Sequence, residues 1–453
     1  MPSSTTQPSA PMSTTYPSNC LHFLKPLRLE NTTAQSTTCL NIIVVGAGLG
    51  GLATAIALTT YGHKVTIYEQ APELREVGAG IQVPSNSARL LLKLGVGPYL
   101  SKCASEPESI SFRRWESGEV IGFTKLKPDF QETFNAPYYV VHRADFHSAL
   151  VQRAVELGVV LKLGEKVVEY DPLKPDIRLE RGILVTADLV VAADGIKSIA
   201  RPLLDDHLDM PPTSLGFAAY RATVDVSLLE QDPDTAWLLE KPALNIWIGD
   251  KRHVMTYTIG AGKSFNMVLS HWDPSDPTTW DQSTALRDMR HEFTGWDPRL
   301  TKIIGLITKT AKWPLVSSTP LSRWTLGKVV LLGDAAHAML PYMSQGAAMA
   351  VEDGVALARA LSRISSGTTL DDALAVFEKV RAKRTRLMQD ASLLNGQLWH
   401  FPDGPLQQAR DEAMKPETQG RPFSHSPNQW SDPATQMWAY GYDAEKAIDE
   451  AFL

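Results

Sequence analysis

The sequence predicts an α/β protein: a parallel-stranded domain, interrupted by an inserted, mostly β domain and followed by C-terminal helices. Three observations predict it. Leu40-Asn-Ile-Ile-Val-Val45 is a short, β-branched apolar run that leads straight into Gly46-Ala-Gly48-Leu-Gly-Gly51 and then a helical pattern, the opening of a βαβ unit. From about Leu215 to Trp313 the segments become longer and richer in Val, Ile, Tyr and Trp, which favours sheet. At Val329–Leu332 the short buried-strand style returns, and two long helical patterns follow it.

In chain order, residues 1–39 are rich in Ser, Thr and Pro with only Lys25, Arg28 and Glu30 charged; this composition predicts a disordered extension. After the first strand and glycine turn, a helix runs from Leu52 to Tyr61, ended by Gly62, and Val65–Tyr68 is a second strand with Glu69 at its end. A short helix is expected at Ser87–Leu94, a strand at Tyr138–Val141 and an amphipathic helix at Ala144–Leu157. Strands follow at Val159–Leu163, Val167–Tyr170, Ile177–Leu179 and Ile183–Val185, and a buried one at Leu189–Ala193 ends in Asp194-Gly195. The inserted region offers strands at Ala219–Val226, Ala243–Ile248, His253–Ile259 and Phe265–Trp272. Helices fill Gly346–Ser362 and Leu370–Leu394, and the tail from Pro402 is polar with scattered aromatics. The organisation expected is therefore 1–39 extension, 40–210 and 319–362 the two parts of the α/β domain, 211–318 the β-rich domain, and 363–453 C-terminal helices and tail.

Composition narrows the function classes. With 453 residues, 44 basic and 50 acidic, the net charge is −6 and spread along the chain, which argues against nucleic-acid binding. Three cysteines make no disulfide framework and no Cys/His group has zinc spacing. No apolar run approaches a membrane span, and residues 1–39 lack the basic start and apolar core of a secretory signal. These features point to a cytoplasmic protein in a reducing compartment.

The glycine turn carries the first chemistry. Gly46 permits the tight exit from the strand, Gly48 lets a phosphate approach the backbone, and Gly51 allows close helix–strand packing, with the helix N-terminus facing a pyrophosphate. Glu69, 18 residues after Gly51, is placed to accept hydrogen bonds from a ribose and disfavours a 2′-phosphate there. Adenosine without that phosphate, as in NAD or FAD, is the expected ligand of this Rossmann-like unit. Further along, Asp194-Gly195 with Arg201, and Gly333-Asp334-Ala-Ala-His337 with Pro341 and Gln345-Gly346-Ala347 opening a helix, suit a ribityl chain and a flavin edge set against a helix dipole.

These three signatures together resemble the group A flavoprotein monooxygenases, the FAD-dependent aromatic hydroxylases, from about residue 40 to the C-terminus. Val77–Asn86, Val141–Asp145, Pro341–Gly346 and Tyr440–Asp443 add likeness to the salicylate hydroxylase branch. The resemblance implies a Rossmann-like FAD-binding domain with a β-rich substrate domain. It implies Glu69, Gly80, Arg143, Asp334 and Ala347 as FAD contacts. It also implies Asp194 and Arg201 in a signature serving both FAD and NAD(P)H, a reductant that docks transiently. It implies that NAD(P)H reduces the flavin, that O₂ adds to form a flavin hydroperoxide, and that an electron-rich ring is hydroxylated in a pocket that keeps water out.

For the substrate, Arg221 lies on a predicted apolar strand, where it is a candidate anchor for a carboxylate or phenolate against the alternative of a surface ion pair. His253 and Tyr257 are four apart on another predicted strand, on one face. They are candidates to orient or deprotonate a phenol, Tyr257 ranked above His253. Trp247 is either pocket wall or core, and His337 is read as support for its loop. The leading expectation is hydroxylation of a phenolic or aryl-carboxylic acid, with CO₂ released if the substrate is salicylate-like. The alternatives are a larger polyketide phenol of fungal secondary metabolism, a flavin oxidoreductase without oxygen insertion, and a non-enzymatic flavin or NAD sensor.

Overall fold

The computed structural model describes residues 36–74, 79–204 and 213–453. Most of the extension assigned to 1–39 therefore lies outside the described residues, as does Val77-Gly78 of the Val77–Asn86 stretch. Residues 36–39 are tied to the fold: the Ser36 N–H donates to Tyr61 O at 2.9 Å and Thr37 Oγ1 to Ile364 O at 3.1 Å.

The α/β part is built on a six-stranded sheet. Its order is Thr325–Leu326, Val329–Leu331, Leu189–Ala192, Asn41–Val45, Lys64–Glu69, Val160–Leu163, parallel except for the first pair. The central strands read as continuous apolar runs because both faces are covered; Ile42 to Val45 and Leu189 to Ala192 are all buried. Helix Leu49–Thr60 crosses back over this sheet and packs on helix Gly346–Leu361. The seam is made of small residues: a Cβ on Gly50 would lie 3.1 Å from Ala350 Cβ, and one on Gly354 2.7 Å from Thr54 Cα.

The β part is a seven-stranded sheet. Its order is Ala311–Ser317, Thr213–Asp225, Ser264–Trp272, Arg252–Ile259, Ala243–Gly249, Ser109–Arg114, Val120–Lys125. The last two strands come from before the inserted region, so the sheet draws on 109–125 as well as 213–317. Sequence reading passes over the first of them because only Ile110 and Phe112 signal burial between polar neighbours. Arg113, which looks like a surface residue, instead lies over the Trp237 ring at 4.4 Å and donates from Nε to Asn245 Oδ1 at 2.8 Å. Alternation along these strands separates two cores. Ile246, Ile248, Met255, Tyr257 and Ala219 face one side. Tyr220, Trp247, Val254, Met267 and Leu269 face helices Ala285–Glu292 and Pro298–Leu306 on the other. Trp247 is core, its Nε1 donating to Asp297 Oδ2 at 3.0 Å.

The C-terminal region is more helical than its polarity suggests. The long helix runs on to Trp399, past the expected Leu394, and Pro405–Thr418, Pro433–Tyr440 and Ala444–Ala451 are helices as well. Buried arginines fasten it: Arg89 donates to Tyr440 O at 3.2 Å and to Tyr442 O at 2.6 Å. Among the described residues no helix is long and apolar enough to cross a membrane.

The first turn is the tightest point. Gly46 sits at φ +103°, and a Cβ there would collide with Ala193 O; a Cβ on Gly51 would collide with Gly46 O. Gly51→Ala is expected to destabilise the fold by about 1–3 kcal/mol or more, as overpacking does. Urea unfolding checks this, and a midpoint equal to wild type would show that the turn relaxes freely.

Candidate active site

A cavity of about 360 Å³ lies between the C-terminal ends of the parallel strands and one face of the seven-stranded sheet, where open α/β sheets bind their ligands. Its two ends differ in chemistry. One end is backbone: Gly48, Leu49 and Gly50, then Gly195, Gly333, Asp334, Gly346 and Ala347. The other is side chain: Arg221, His253, Met255, Tyr257, Tyr342 and Trp399. The sequence candidates Gly48, Gly80, Arg143, Asp334, Gly346, Ala347, Arg221, His253 and Tyr257 thus meet around one space.

The backbone end fits FAD. Nothing stands within 4 Å of a Cβ placed on Gly48, so a phosphate has room at the N-terminus of helix Leu49–Thr60. Helix Gly346–Leu361 turns a second N-terminus to the same cavity, and both positive ends favour an anionic ligand. Gly333, at φ +63°, turns Asp334 outward beside them with its carboxylate exposed. FAD would be held there by the backbone of Gly48, Leu49 and Gly50, by Asp334 and by Gly346-Ala347.

Several candidates are placed differently from the expectation. Gly46 and Gly51 do not line the cavity; they are packing glycines of the turn. Glu69 accepts the Ala47 N–H at 2.7 Å and the Ala71 N–H at 2.8 Å, so it braces the turn besides being available to a ribose. Asp194 is turned to its own loop, accepting from Tyr170 O–H at 3.0 Å and the Ile199 N–H at 3.1 Å. Arg201 is corrected from cofactor contact to scaffold: it is buried, and its guanidinium donates to the carbonyls of Ala335 (3.2 Å), Ala336 (2.9 Å) and Thr319. Gly80 lines the cavity, but a Cβ on it would collide with the Tyr257 ring, so its smallness makes room for that side chain.

At the side-chain end, Arg221 and Met255 both register with Val268 on the strand between them. They are two strands apart, about 10 Å between backbones. Burial pulls the Arg221 guanidinium below its usual value, Tyr257 opposes this, and the nearby Arg143 adds to it; an arginine stays charged regardless. Tyr257 is pushed up by burial, only partly offset by Arg221, so it is a neutral phenol and a donor. His253 is corrected as a deprotonating base: burial lowers it to about 3, far from the matched pKa a general base needs. It is a neutral imidazole whose Nδ1 lies 2.8 Å from His400 Nε2.

Sequence reading missed Tyr342 and Trp399, which complete this end, and His400, which stands behind His253 without lining the cavity. Gly396 is the retrievable trace of one of them, since a Cβ there would meet the Tyr342 ring at 2.5 Å.

Behind the cavity lies a buried ionic network. Asp353 accepts from His337 Nε2 (2.6 Å), Arg381 Nε (2.8 Å) and the Gly333 N–H (3.2 Å). Glu352 accepts from Arg381 (2.7 Å), Arg384 (3.3 Å) and Asn86 (2.7 Å), and Asn86 also donates to Gln345 at 2.9 Å. Burial alone would raise Asp353, but His337 and Arg381 bring it below the usual carboxylate value. His337 supports its loop and does not line the cavity.

Residues 39–392 match the family model described as FAD binding domain. The chain is 36% identical to FAD-dependent monooxygenase OpS4 of Beauveria bassiana over 91% of its own length and 97% of that protein. It is 35% identical to 6-hydroxynicotinate 3-monooxygenase of Pseudomonas fluorescens, covering 78% of this chain and 90% of that one. A salicylate hydroxylase solved as a substrate complex superposes with a TM-score of 0.74 at 26% identity, covering 92% of this chain and 98% of that one.

Buried histidines set a pH dependence. His253 is lowered to about 3 and His63 and His271 to about 4, all chiefly by burial, from an ordinary 6.5. Between those values the unfolded chain binds more protons, so their stabilisation is complete above about pH 6.5 and lost as pH falls. Glu417, raised by burial to about 7, acts in the opposite sense over part of that range but is one group against three. Thermal unfolding should therefore show a lower Tm at pH 5 than at pH 7.5; an equal or higher Tm at pH 5 would contradict these burials.

Proposed function

The chain belongs to the FAD binding domain family, among the FAD-dependent aromatic monooxygenases. From that premise we propose that it hydroxylates a small phenolic or aryl-carboxylic acid, with NAD(P)H as reductant and O₂ as oxidant. The observation that carries the substrate class is Arg221. It is a cation on the cavity wall with no carboxylate partner among the described residues, facing a neutral phenol donor and a neutral imidazole. An anionic, hydroxylated ring satisfies all three.

FAD supplies electron transfer from the nicotinamide and activation of O₂. The protein's own residues do the rest. Arg221 binds the carboxylate or phenolate as a charge-assisted pair. Tyr257, fixed against Gly80, donates to an oxygen of the ring substituents and favours its anionic form, which raises electron density at the adjacent carbons. Met255, Val268, Leu315 and Met339 wall the ring off from water, which strengthens the Arg221 interaction and protects the oxidant from wasteful decay. The positive end of helix Gly346–Leu361 stabilises negative charge at the far end of the cavity.

The test is aerobic NAD(P)H oxidation by the purified yellow protein, with and without a series of phenolic acids headed by salicylate, and identification of the product. Stimulation with a hydroxylated product supports the reading, and catechol with CO₂ selects the salicylate-like form of it. Stimulation with peroxide alone favours a larger phenol as the true substrate, and no stimulation by any ring favours a flavin oxidoreductase without oxygen insertion. Arg221→Met should raise KM for the carboxylate substrate at least roughly 30-fold, since truncating one partner of a buried charge pair costs about 2–5 kcal/mol. An unchanged KM would remove Arg221 from the site.

A further inference from the structure

His253 is held by an unusual partner. His400 caps the C-terminus of the long helix Leu370–Trp399 and does not line the cavity, yet its Nε2 meets His253 Nδ1 at 2.8 Å. The two rings lie edge to edge and nearly in one plane, with centroids 5.1 Å apart and planes 25° apart. An aromatic cradle fixes both: Phe217 stacks on His400 at 4.7 Å, and Trp399 and Tyr342 stand edge-on to His253 at 5.2 and 5.5 Å. Both histidines are buried, with 3% and 7% of their surface exposed, and burial keeps both neutral.

Two neutral imidazoles at that distance share one proton between facing nitrogens. If His400 Nε2–H donates, His253 carries its own proton on Nε2 and is a donor to the cavity. If His253 Nδ1–H donates, its Nε2 is a bare acceptor. His253 Nε2 has no hydrogen-bond partner among the described residues, and the side chain lines the cavity. The sense of this nitrogen is therefore set by the tautomer of a residue outside the site.

We propose that His400 is a positioning residue for substrate recognition. By pairing with His253 Nδ1 it leaves His253 Nε2 as a neutral nitrogen able to accept from a substrate hydroxyl or donate to its anion, and so selects hydroxylated rings over rings lacking that hydroxyl. This rests on the aromatic-acid reading above. Replacing His400 with an apolar residue leaves Nδ1 buried and unpaired, and the ring must then turn that nitrogen toward the cavity or lose its fixed plane. An amide at position 400 can both donate and accept, and preserves the pairing.

The experiment titrates FAD-loaded wild type, His400→Phe and His400→Gln with salicylate and with benzoate, reading the perturbation of the flavin absorbance spectrum. For wild type the hydroxylated acid should bind more tightly. His400→Phe should weaken salicylate about 10-fold or more while changing benzoate less than about 3-fold, and His400→Gln should restore most of the difference. Equal weakening of both acids, or no recovery in His400→Gln, would overturn the proposal and leave His400 a packing residue. If wild type binds neither acid, nor any phenolic acid that stimulates NAD(P)H oxidation, the substrate reading itself fails, and the two failures are thereby told apart.

Discussion

Two adjacent carboxylates on one helix, Glu352 and Asp353, hold the site together. Both are fully buried, and with Arg381 and Arg384 they form a charge-balanced cluster in which each oxygen has a donor. From Asp353 the contacts run to Gly333 and His337, which set the turn that presents Asp334. From Glu352 they run through Asn86 to Gln345, at the head of the helix whose N-terminus meets the cavity. Arg384 carries the cluster outward to the carbonyls of Trp438 and Ala439. A buried pair of this kind contributes little net stability, but loss of one partner leaves an uncompensated charge. Its value here is positional: three segments distant in sequence are brought to one orientation around one space.

The second constraint is the alternation of the seven-stranded sheet. Because successive side chains point to opposite faces, Arg221, His253, Met255 and Tyr257 all reach the cavity, while Tyr220, Val254 and Met267 pack under the outer helices. The site needs both parts of the molecule. The α/β part offers two helix N-termini and the glycine turns, and the β part offers a cation, a phenol and a neutral imidazole on a water-poor wall. The two sets line one cavity.

Much of this was legible in the sequence where one local pattern maps to one local geometry. The strand–turn–helix at 41–60, the buried strands 189–192 and 329–331, and the shared face of His253 and Tyr257 follow from apolar runs and from periods of two and 3.6. What escaped depends on tertiary partners. Arg201 and Asp194 look like ligand contacts in a motif, but the Arg201 guanidinium is held by backbone carbonyls and Asp194 Oδ2 by Tyr170 and the Ile199 N–H, groups brought near only in the fold. His253 looks tunable to neutral pH until its surroundings, Tyr342, Trp399 and His400, are seen to exclude water. The strand 109–114 hides behind Arg113, which lies over tryptophans from elsewhere in the chain. The long helix continues to Trp399 through Asn395-Gly396-Gln397, whose polarity reads as an ending. Gly396 is small there because the Tyr342 ring occupies the place of a side chain.

The central claim is that the cavity puts an oxygen atom onto an aromatic ring bound against Arg221 and Tyr257. Turnover under ¹⁸O₂ with NAD(P)H and the most stimulating phenolic acid tests it most directly, with the product analysed by mass spectrometry. The account predicts one labelled oxygen per hydroxylated product, formed in proportion to the NAD(P)H consumed. Reductant consumed with all the label in peroxide or water, for every aromatic acid that binds, would contradict it.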